Sequence, residues 1–232
     1  MKSCLCGDRR LVHPVQRWIR SDGAVISQVE RLLLDEEADY LIKKAGEVGL
    51  NRSKTSEGIA DIRTSRTAFL PMNDRVVECV GKRLATIAGM PEKSLEPLQV
   101  TDYTHKQRYD AHYDDLGVGP KRLKTLFAYL KDEGLSEGRC GGATVFHQLR
   151  RDGQHLRVYP SKGNAVMWSN FTPEGRHNDR TLHAGEPVTC PGAHKIGLNA
   201  WFLDSPGRRR KSRRSSRRKI SKKRIKKRSA HS

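Results

Sequence analysis

The chain has 232 residues, a formal net charge of +19 and a hydrophobic fraction of 35%. Residues 205–232 hold 15 of the 45 Lys and Arg residues and no acidic residue, so residues 1–204 hold 30 basic and 26 acidic groups. This distribution predicts a globular domain at 26–204, an irregular lead-in at 1–25 and a disordered, polycationic tail at 205–232. No apolar run reaches the roughly 20 residues that a membrane-spanning helix needs, which excludes a transmembrane segment.

Two amphipathic helices are predicted in the first half of the chain. Apolar residues recur at helical spacing over 25–48 and again over 74–88, where Gly89 ends the pattern. The residues between them are polar and rich in turn formers, and they predict a loop followed by a short strand at 64–69.

After Pro97 the sequence changes to short β-like segments separated by turn residues. About eight short strands after two helices predict a mainly β fold, a double-sheet roll with helices packed on its outside. The predicted strands are 98–103, 109–113, 123–130, 142–146, 157–159, 165–169, 183–188 and 195–203.

The N-terminus and the cysteines bear on the compartment. Residues 1–14 contain no apolar stretch of the kind found in secretory signals, which favours the cytoplasm or nucleus, while the endoplasmic reticulum would require a different start of the chain. The cysteines are odd in number and include no Cys-x-x-Cys pair, so they predict neither a disulfide framework nor a structural zinc site. We expect a reducing compartment, with one disulfide left open. The cysteines are Cys4, Cys6, Cys79, Cys140 and Cys190.

His112 and Asp114 form a His-x-Asp pair in a strand-like segment. Residues two apart on a strand point to the same face, so both side chains could bind one metal ion. His183, 69 residues beyond Asp114 at the start of another predicted strand, is the candidate third ligand. Two imidazoles and one carboxylate leave metal positions open, an arrangement typical of non-haem Fe(II) oxygenases.

A second His-x-Asp pair, His177 and Asp179, lies in a polar loop without apolar alternation, and we interpret it as chance. The alternative for His112 is a surface histidine on an edge strand.

The segment that contains His112 and Asp114 resembles the core motif of prolyl 4-hydroxylases, which are Fe(II)- and 2-oxoglutarate-dependent dioxygenases. Further segments resemble that family in the same order, over roughly residues 28–203. The resemblance implies a double-stranded β-helix (jelly roll) core, which agrees with the predicted strands. The similar segments are residues 35–41, 63–66, 98–114, 122–130, 141–146, 160–166 and 182–188.

The same resemblance implies roles for individual residues. His112, Asp114 and His183 would bind the iron and form the catalytic centre. The C5 carboxylate of 2-oxoglutarate would pair with Lys195 and accept hydrogen bonds from Tyr103 and Thr144, for which core packing is the alternative. The peptide groove would include Arg122, Tyr113 and Trp201, and for Arg122 a surface ion pair is the alternative.

The implied reaction is hydroxylation of peptidyl proline to 4-hydroxyproline, with O2 as oxidant, L-ascorbate as reductant, and succinate and CO2 as co-products. One alternative is the same chemistry on a residue of a nuclear or ribosomal protein. Another is a catalytically inactive protein that binds nucleic acid through residues 205–232. A tail of this charge can bind phosphates or an acidic partner without sequence specificity.

Overall fold

Twelve strands and two α-helices make up the described part of the protein. The structure is a computed structural model that describes residues 15–21, 24–54, 58, 61–115, 120–135 and 138–204. The predicted tail at 205–232 and the cysteines Cys4 and Cys6 lie outside the described residues. The strands are β1 Val15–Ser21, β2 Ala24–Glu30, β3 Asn51–Arg52, β4 Arg66–Phe69, β5 Gln99–Tyr103, β6 Tyr109–His112, β7 Arg122–Glu133, β8 Thr144–Arg151, β9 Gln154–Val158, β10 Ala165–Ser169, β11 His183–Gly185 and β12 His194–Leu203, and the helices are α1 Asp35–Val48 and α2 Arg75–Ala88.

The strands form two antiparallel sheets. The larger sheet has eight strands in the order β1-β2-β10-β7-β12-β5-β4-β3, and the smaller has four in the order β6-β11-β8-β9. Each of the eight strands predicted after Pro97 has a counterpart among β5 to β12. The prediction of a mainly β fold is therefore confirmed at the level of two antiparallel sheets.

The larger sheet packs against the helices on one face and against the smaller sheet on the other. Alternate residues of β7 divide between two cores: Leu126 packs with the helices, whereas Phe127 packs with the smaller sheet. The ring of Phe146 on β8 meets Trp168 on β10 edge-on at 5.2 Å between centroids. The second core therefore joins the two sheets beside the strands that carry the candidate ligands.

The predicted second helix is confirmed, and its ends follow from local chemistry. The Asp74 carboxylate accepts hydrogen bonds from the backbone N–H groups of Val76 and Val77 at 2.9 and 3.2 Å, an N-cap that satisfies two otherwise unpaired donors. Gly89 ends the helix with φ of 60°, a left-handed conformation that glycine adopts without a Cβ penalty. Neither helix in the described ranges combines the length and the apolar character needed to cross a membrane.

The N-terminal part of the fold differs from the prediction. The apolar spacing at 25–48 predicted one helix with Ser27 or Asp35 as its N-cap, but 24–30 form β2 and the helix begins at Asp35, the later of these two positions. The hairpin of β1 and β2 also occupies part of the segment predicted to be irregular at 1–25. Pairing of Val29 with Ala165 on β10 adds β2 to the sheet, and this long-range contact overrides the local helical spacing.

The cysteines also differ from the expectation of a reducing compartment. Cys140 and Cys190 form a disulfide with a Cα–Cα distance of 5.1 Å, and no cysteine in the described ranges is a free thiol. Disulfides are typical of oxidising compartments, so the described cysteines give no support to a reducing one. The bond joins the loop before β8 to the loop before β12.

Candidate active site

Strands β6 and β11 bring the three predicted metal ligands together. His183 lies directly opposite His112 in the antiparallel pair, and Asp114 follows two residues after the end of β6. Asp114 Oδ1 lies 3.8 Å from His112 Nε2, and Asp114 Oδ2 lies 3.7 Å from His183 Nε2. The donor atoms all lie within 4.8 Å of one another, and among the described residues this is the one such group of three.

Backbone carbonyls fix the tautomers of both histidines. His112 Nδ1 lies 2.8 Å from the carbonyl oxygen of Asp110, and His183 Nδ1 lies 2.9 Å from that of Thr181. Since a carbonyl only accepts, each Nδ1 carries a proton, and each Nε2 is the ring nitrogen that faces Asp114. Burial, helped by the neighbouring His183, lowers the pKa of His112 to about 3, so that this imidazole is neutral at physiological pH.

The Asp114 carboxylate is buried, with 6% of its surface exposed. Burial alone would raise its pKa, but the two imidazoles, a hydrogen bond from Thr125 and the charge of Arg122 outweigh burial and hold the pKa of Asp114 below its usual value. An ionised carboxylate beside two imidazoles is a donor set that suits a divalent metal such as iron.

Aromatic rings hold the histidines in place. The Tyr109 ring stacks on the His112 ring at 3.6 Å and 17°, and the Trp168 ring lies 4.6 Å from that of His183. The Arg63 guanidinium lies 4.7 Å from the centroid of the Tyr109 ring. Arg63 is buried, lines the same cavity, and its Nε has no hydrogen-bond partner in the described structure. Sequence analysis assigned Arg63 no role, although it lies in a segment that carries the resemblance.

The same cavity contains the ammonium group of Lys195. The Lys195 side chain is 2% exposed, and its Nζ donates a hydrogen bond of 2.6 Å to the carbonyl oxygen of Gly142. The rings of Tyr103 and Phe127 each lie 5.3 Å from Nζ, and no carboxylate of the described residues is within ion-pair distance. Burial lowers the pKa of Lys195 to about 7, against the opposing charge of Glu186.

A glycine turn places the carbonyl group that Lys195 contacts. Gly141 and Gly142 have φ values of 69° and 77°. A Cβ on Gly141 would lie 2.1 Å from the carbonyl oxygen of Pro187, so the close approach of these two segments requires glycine. The Cys140–Cys190 disulfide lies next to this turn.

Both hydroxyl residues predicted near Lys195 line the cavity. Tyr103 lies opposite Lys195 in the β5–β12 pair and is 5% exposed. The Thr144 hydroxyl lies 2.9 Å from the hydroxyl of Tyr129, whose single proton can go either to Thr144 or to the carbonyl oxygen of Val158 at 3.2 Å. Tyr129 was not predicted as a site residue, because its hydroxyl reaches the cavity only through Thr144.

The three residues predicted for a peptide groove occupy different places. Trp201 lines the cavity, and the Arg122 guanidinium lies 4.0 Å from the centroid of the Trp201 ring. Arg122 also forms two hydrogen bonds with Glu96, at 2.6 and 3.0 Å, so the ion pair considered as its alternative is present. Tyr113 lies outside the cavity, where its ring meets His177 edge-on at 4.6 Å.

The second His-x-Asp pair forms a local contact instead of a metal group. His177 Nδ1 lies 2.9 Å from Asp179 Oδ1, on an exposed turn. The candidate centre therefore remains the one formed by His112, Asp114 and His183, whose cavity is lined by Arg63, Tyr103, Tyr109, Phe127, Thr144, Trp168, Ala184, Gly185, Lys195, Asn199 and Trp201 as well.

Comparison with known proteins agrees with this chemistry. The family model of the 2OG-Fe(II) oxygenase superfamily matches residues 98–203, which contain the three donors and Lys195. Prolyl 4-hydroxylase 5 of Arabidopsis thaliana is 30% identical over 214 residues, covering 81% of this chain and 72% of that protein. Prolyl 4-hydroxylase 2 of the same plant is 30% identical over 188 residues, covering 68% of this chain and 61% of that protein.

A solved structure is similar as well. The viral collagen prolyl hydroxylase of Paramecium bursaria Chlorella virus-1, in its 2OG complex, is 28% identical with a TM-score of 0.61, covering 78% of this chain and 96% of that one. The chain belongs to the prolyl 4-hydroxylase family of 2OG-Fe(II) oxygenases, which confirms the resemblance drawn from its motifs. It spans 57% to 62% of the length of three plant relatives.

The residues present fit the groups that this family uses. Two imidazoles and a carboxylate suit Fe(II), and the ammonium of Lys195, which has no carboxylate partner among the described residues, suits an anionic ligand in the same cavity. The nucleic-acid-binding alternative gains no support from these relatives, which are hydroxylases.

Proposed function

We propose that this chain is a dioxygenase that hydroxylates peptidyl proline to 4-hydroxyproline, using Fe(II), 2-oxoglutarate and O2 and releasing succinate and CO2, with L-ascorbate as reductant. The observation that carries the proposal is the convergence of three metal donors and an unpaired buried lysine in one cavity of a prolyl 4-hydroxylase family member. The two antiparallel sheets around that cavity would form the double-stranded β-helix of the family.

His112, Asp114 and His183 would hold the iron. Their backbone and ring contacts support this role, because each Nδ1 is held by a backbone carbonyl group and each Nε2 is left facing the carboxylate. The protein then needs little rearrangement when the metal binds.

Lys195 would anchor the far carboxylate of 2-oxoglutarate, with Thr144 and Tyr103 donating hydrogen bonds to it. An ammonium in an apolar, ring-lined position is costly when unpaired, and an incoming carboxylate offsets that cost. This difference between the free and occupied site favours binding of a dianion such as 2-oxoglutarate.

Iron and 2-oxoglutarate together supply the oxidising chemistry that converts a C–H bond of proline and O2 to a hydroxyl group, with one oxygen atom entering succinate. The chain's own contribution would be to orient the substrate and exclude water. The buried rings of Phe127, Trp168 and Trp201 line the cavity and support that role.

The peptide would enter over Trp201 and Arg122, with Tyr113 farther out along the same groove. Glu96 already neutralises Arg122, so this groove would favour an uncharged peptide segment over a strongly acidic one. The same chemistry on a nuclear or ribosomal protein is not favoured, because the relatives are prolyl 4-hydroxylases.

The test is succinate formation from 2-oxoglutarate by the full chain with Fe(II) and ascorbate. Proline-rich peptides should stimulate succinate formation and gain 16 Da on proline, whereas peptides with alanine in place of proline should not. His183→Ala should abolish turnover and His177→Ala should leave it unchanged.

Two negative results have different meanings. If the protein binds iron and 2-oxoglutarate but turns over no proline peptide, it is an oxygenase whose substrate is not peptidyl proline. Failure to bind iron would overturn the proposal as a whole.

A further inference from the structure

A buried hydrogen-bond chain lies behind the Asp114 carboxylate. The Thr125 hydroxyl on β7 lies 2.6 Å from Asp114 Oδ2, and Asn170 Nδ2, one residue after β10, lies 3.0 Å from the Thr125 hydroxyl. Thr125 and Asn170 are 0% and 1% exposed. Both residues are away from the cavity lining, so neither contacts a bound ligand directly.

The direction of this chain follows from its far end. Asn170 Nδ2 also lies 3.0 Å from the backbone carbonyl oxygen of Arg122, which can only accept a hydrogen bond. The amide nitrogen therefore faces both Arg122 and Thr125, and it donates to each. Because the Thr125 oxygen accepts from Asn170, its own proton is directed to Asp114. The opposite direction would leave the carboxylate without that donor.

The oxygen of the Asn170 side-chain amide is less favourably placed than its nitrogen. Asn170 Oδ1 is buried and has no hydrogen-bond partner in the described part of the chain. A buried acceptor without a partner is destabilising, and turning the amide over would not help, because Oδ1 would then face the Arg122 carbonyl oxygen. The amide therefore stays in the one orientation that supplies a proton to Thr125.

Register connects this chain to the fold. Thr125 on β7 lies opposite Trp168 on β10, and Trp168 packs against the ring of His183. The backbone N–H of Asn170 also donates to the carbonyl oxygen of Leu123 at 2.9 Å. The β7–β10 pair therefore positions both the Thr125 hydroxyl that contacts Asp114 and the Trp168 ring that packs against His183.

We propose that Thr125 and Asn170 are positioning residues that orient the Asp114 carboxylate for metal binding. This inference rests on the proposed function, because it takes Asp114 as a ligand. A fixed hydrogen bond to one carboxylate oxygen limits rotation of the Asp114 carboxylate. Less conformational entropy is therefore lost when the metal binds. Partners of this kind change metal affinity by about 10- to 100-fold when removed.

The test is titration of the full, metal-free chain with Co(II) alone, followed through the visible absorption of the bound ion. Thr125→Val keeps the shape of the side chain but removes the hydroxyl, and it should weaken Co(II) affinity at least about tenfold and change the absorption spectrum. Thr125→Ser keeps the hydroxyl and should restore both.

Thr101→Val is the matched control. Thr101 is also 0% exposed, and its hydroxyl donates to the carbonyl oxygen of Gly197 at 3.4 Å instead of to Asp114, Thr125 or Asn170. It should lower thermal stability without changing Co(II) affinity or the spectrum. A Thr125→Val protein that is less stable but binds Co(II) like the wild type would overturn the inference and leave the proposed function standing.

Other outcomes also decide the question. If Thr125→Val does not fold, Asn170→Ala takes its place, since it leaves the Thr125 proton free to turn away from Asp114. Weaker Co(II) binding by Asn170→Ala supports the inference, and unchanged binding contradicts it. Absence of Co(II) binding by the wild type would instead remove the metal site and the proposed function together.

Discussion

At the scale of single residues, Lys195 is the group whose charge links ligand affinity to stability. It is an ammonium surrounded by aromatic rings, with one carbonyl oxygen as its hydrogen-bond acceptor. The folded wild-type protein therefore buries a charged group at a position where an apolar side chain would destabilise it less. The compensation we propose is the carboxylate of 2-oxoglutarate, and two consequences can be measured.

The first consequence is a pH-dependent affinity for 2-oxoglutarate. Free Lys195 has a pKa of about 7, and a carboxylate partner raises that value, so binding above pH 7 must take up a proton. Affinity should be level below pH 7 and fall about tenfold per pH unit above it. Calorimetry on Mn(II)-loaded protein between pH 6 and 9 measures this. Lys195→Met should bind weakly and lack this slope, and an equal slope in both proteins would contradict the prediction.

The second consequence concerns stability. In the unfolded chain Lys195 keeps its ordinary pKa of 10.5, so between pH 7 and 10.5 the unfolded state binds more protons and wild-type stability rises with pH. Lys195→Met should therefore be more stable than the wild type, most of all below pH 7, with roughly 5 kcal/mol as the upper bound. Urea unfolding at pH 6 and pH 9 measures this gain in the free energy of unfolding. A gain that is larger at pH 9 than at pH 6 would contradict the prediction.

Tyr129 supports the same subsite through Thr144. When the single Tyr129 hydroxyl proton turns from the Val158 carbonyl oxygen to Thr144, the Thr144 proton is free for a ligand. Tyr129→Phe removes that donor without changing the ring, and the loss of about 1 kcal/mol should raise KM for 2-oxoglutarate about fivefold. Tyr159→Phe, at a tyrosine that is 45% exposed, is the matched control and should leave KM unchanged. Equal KM values in both variants would remove Tyr129 from the subsite.

At the scale of elements, the disulfide fastens two loops on which the Lys195 subsite depends. Cys140 precedes the glycine turn that presents the Gly142 carbonyl group, and Cys190 precedes β12, which carries Lys195. Backbone hydrogen bonds already join these loops, including Gly142 N–H to the Pro187 carbonyl oxygen at 3.1 Å. The bond should therefore contribute mainly to stability, with a smaller effect on the ligand.

Cys140→Ser with Cys190→Ser should lower the free energy of unfolding by about 4 kcal/mol, because the bond closes a loop with a sequence separation of 50 residues. Guanidinium unfolding of the wild type and the double variant measures it. A reducing agent should destabilise the wild type more than the double variant, which keeps the disulfide of Cys79, and equal sensitivity of both proteins to the reductant would contradict the assignment.

The elements that sequence analysis predicted well are those with local signals. Helix α2 has an Asp74 cap and a terminal Gly89, and β10 matches the predicted segment at both ends. Strand β2 was missed because its apolar residues also fit a helix, and only its pairing with β1 and β10 decides between the two. Pairing between distant strands is not visible in one sequence.

The same distinction applies to the site. His112 and Asp114 could be predicted as ligands because the two residues lie within three positions, and His183 because its segment resembles a known motif; the structure brings the three side chains together. Thr125 and Tyr129 were not predicted as site residues, because their roles depend on register and on contacts through another side chain. Arg63 was likewise not assigned, since a lone arginine gives no signal of burial.

At the scale of the whole molecule, charge is divided between two regions. Residues 1–204 hold 30 basic and 26 acidic groups, whereas 205–232 hold 15 basic groups and no acidic one. A long-range field from such a region raises the encounter rate with acidic partners, and salt screens it over about 8 Å at physiological ionic strength. The described sheets, helices and candidate site all lie within residues 15–204. Removing residues 205–232 should therefore change the attraction of acidic partners without changing the chemistry at the candidate site.

Removal of residues 205–232 should leave turnover on a neutral proline-rich peptide unchanged and raise KM for the same peptide extended by an acidic segment. The reason is that the remaining chain has a formal charge of only +4 instead of +19, so the attraction is lost while the cavity is intact. Steady-state assays at about 50 and 300 mM salt measure it, and in the full chain only the acidic peptide should lose efficiency at high salt. Loss of turnover on the neutral peptide would instead show that the tail takes part in catalysis or folding, and would return the binding-protein alternative to consideration.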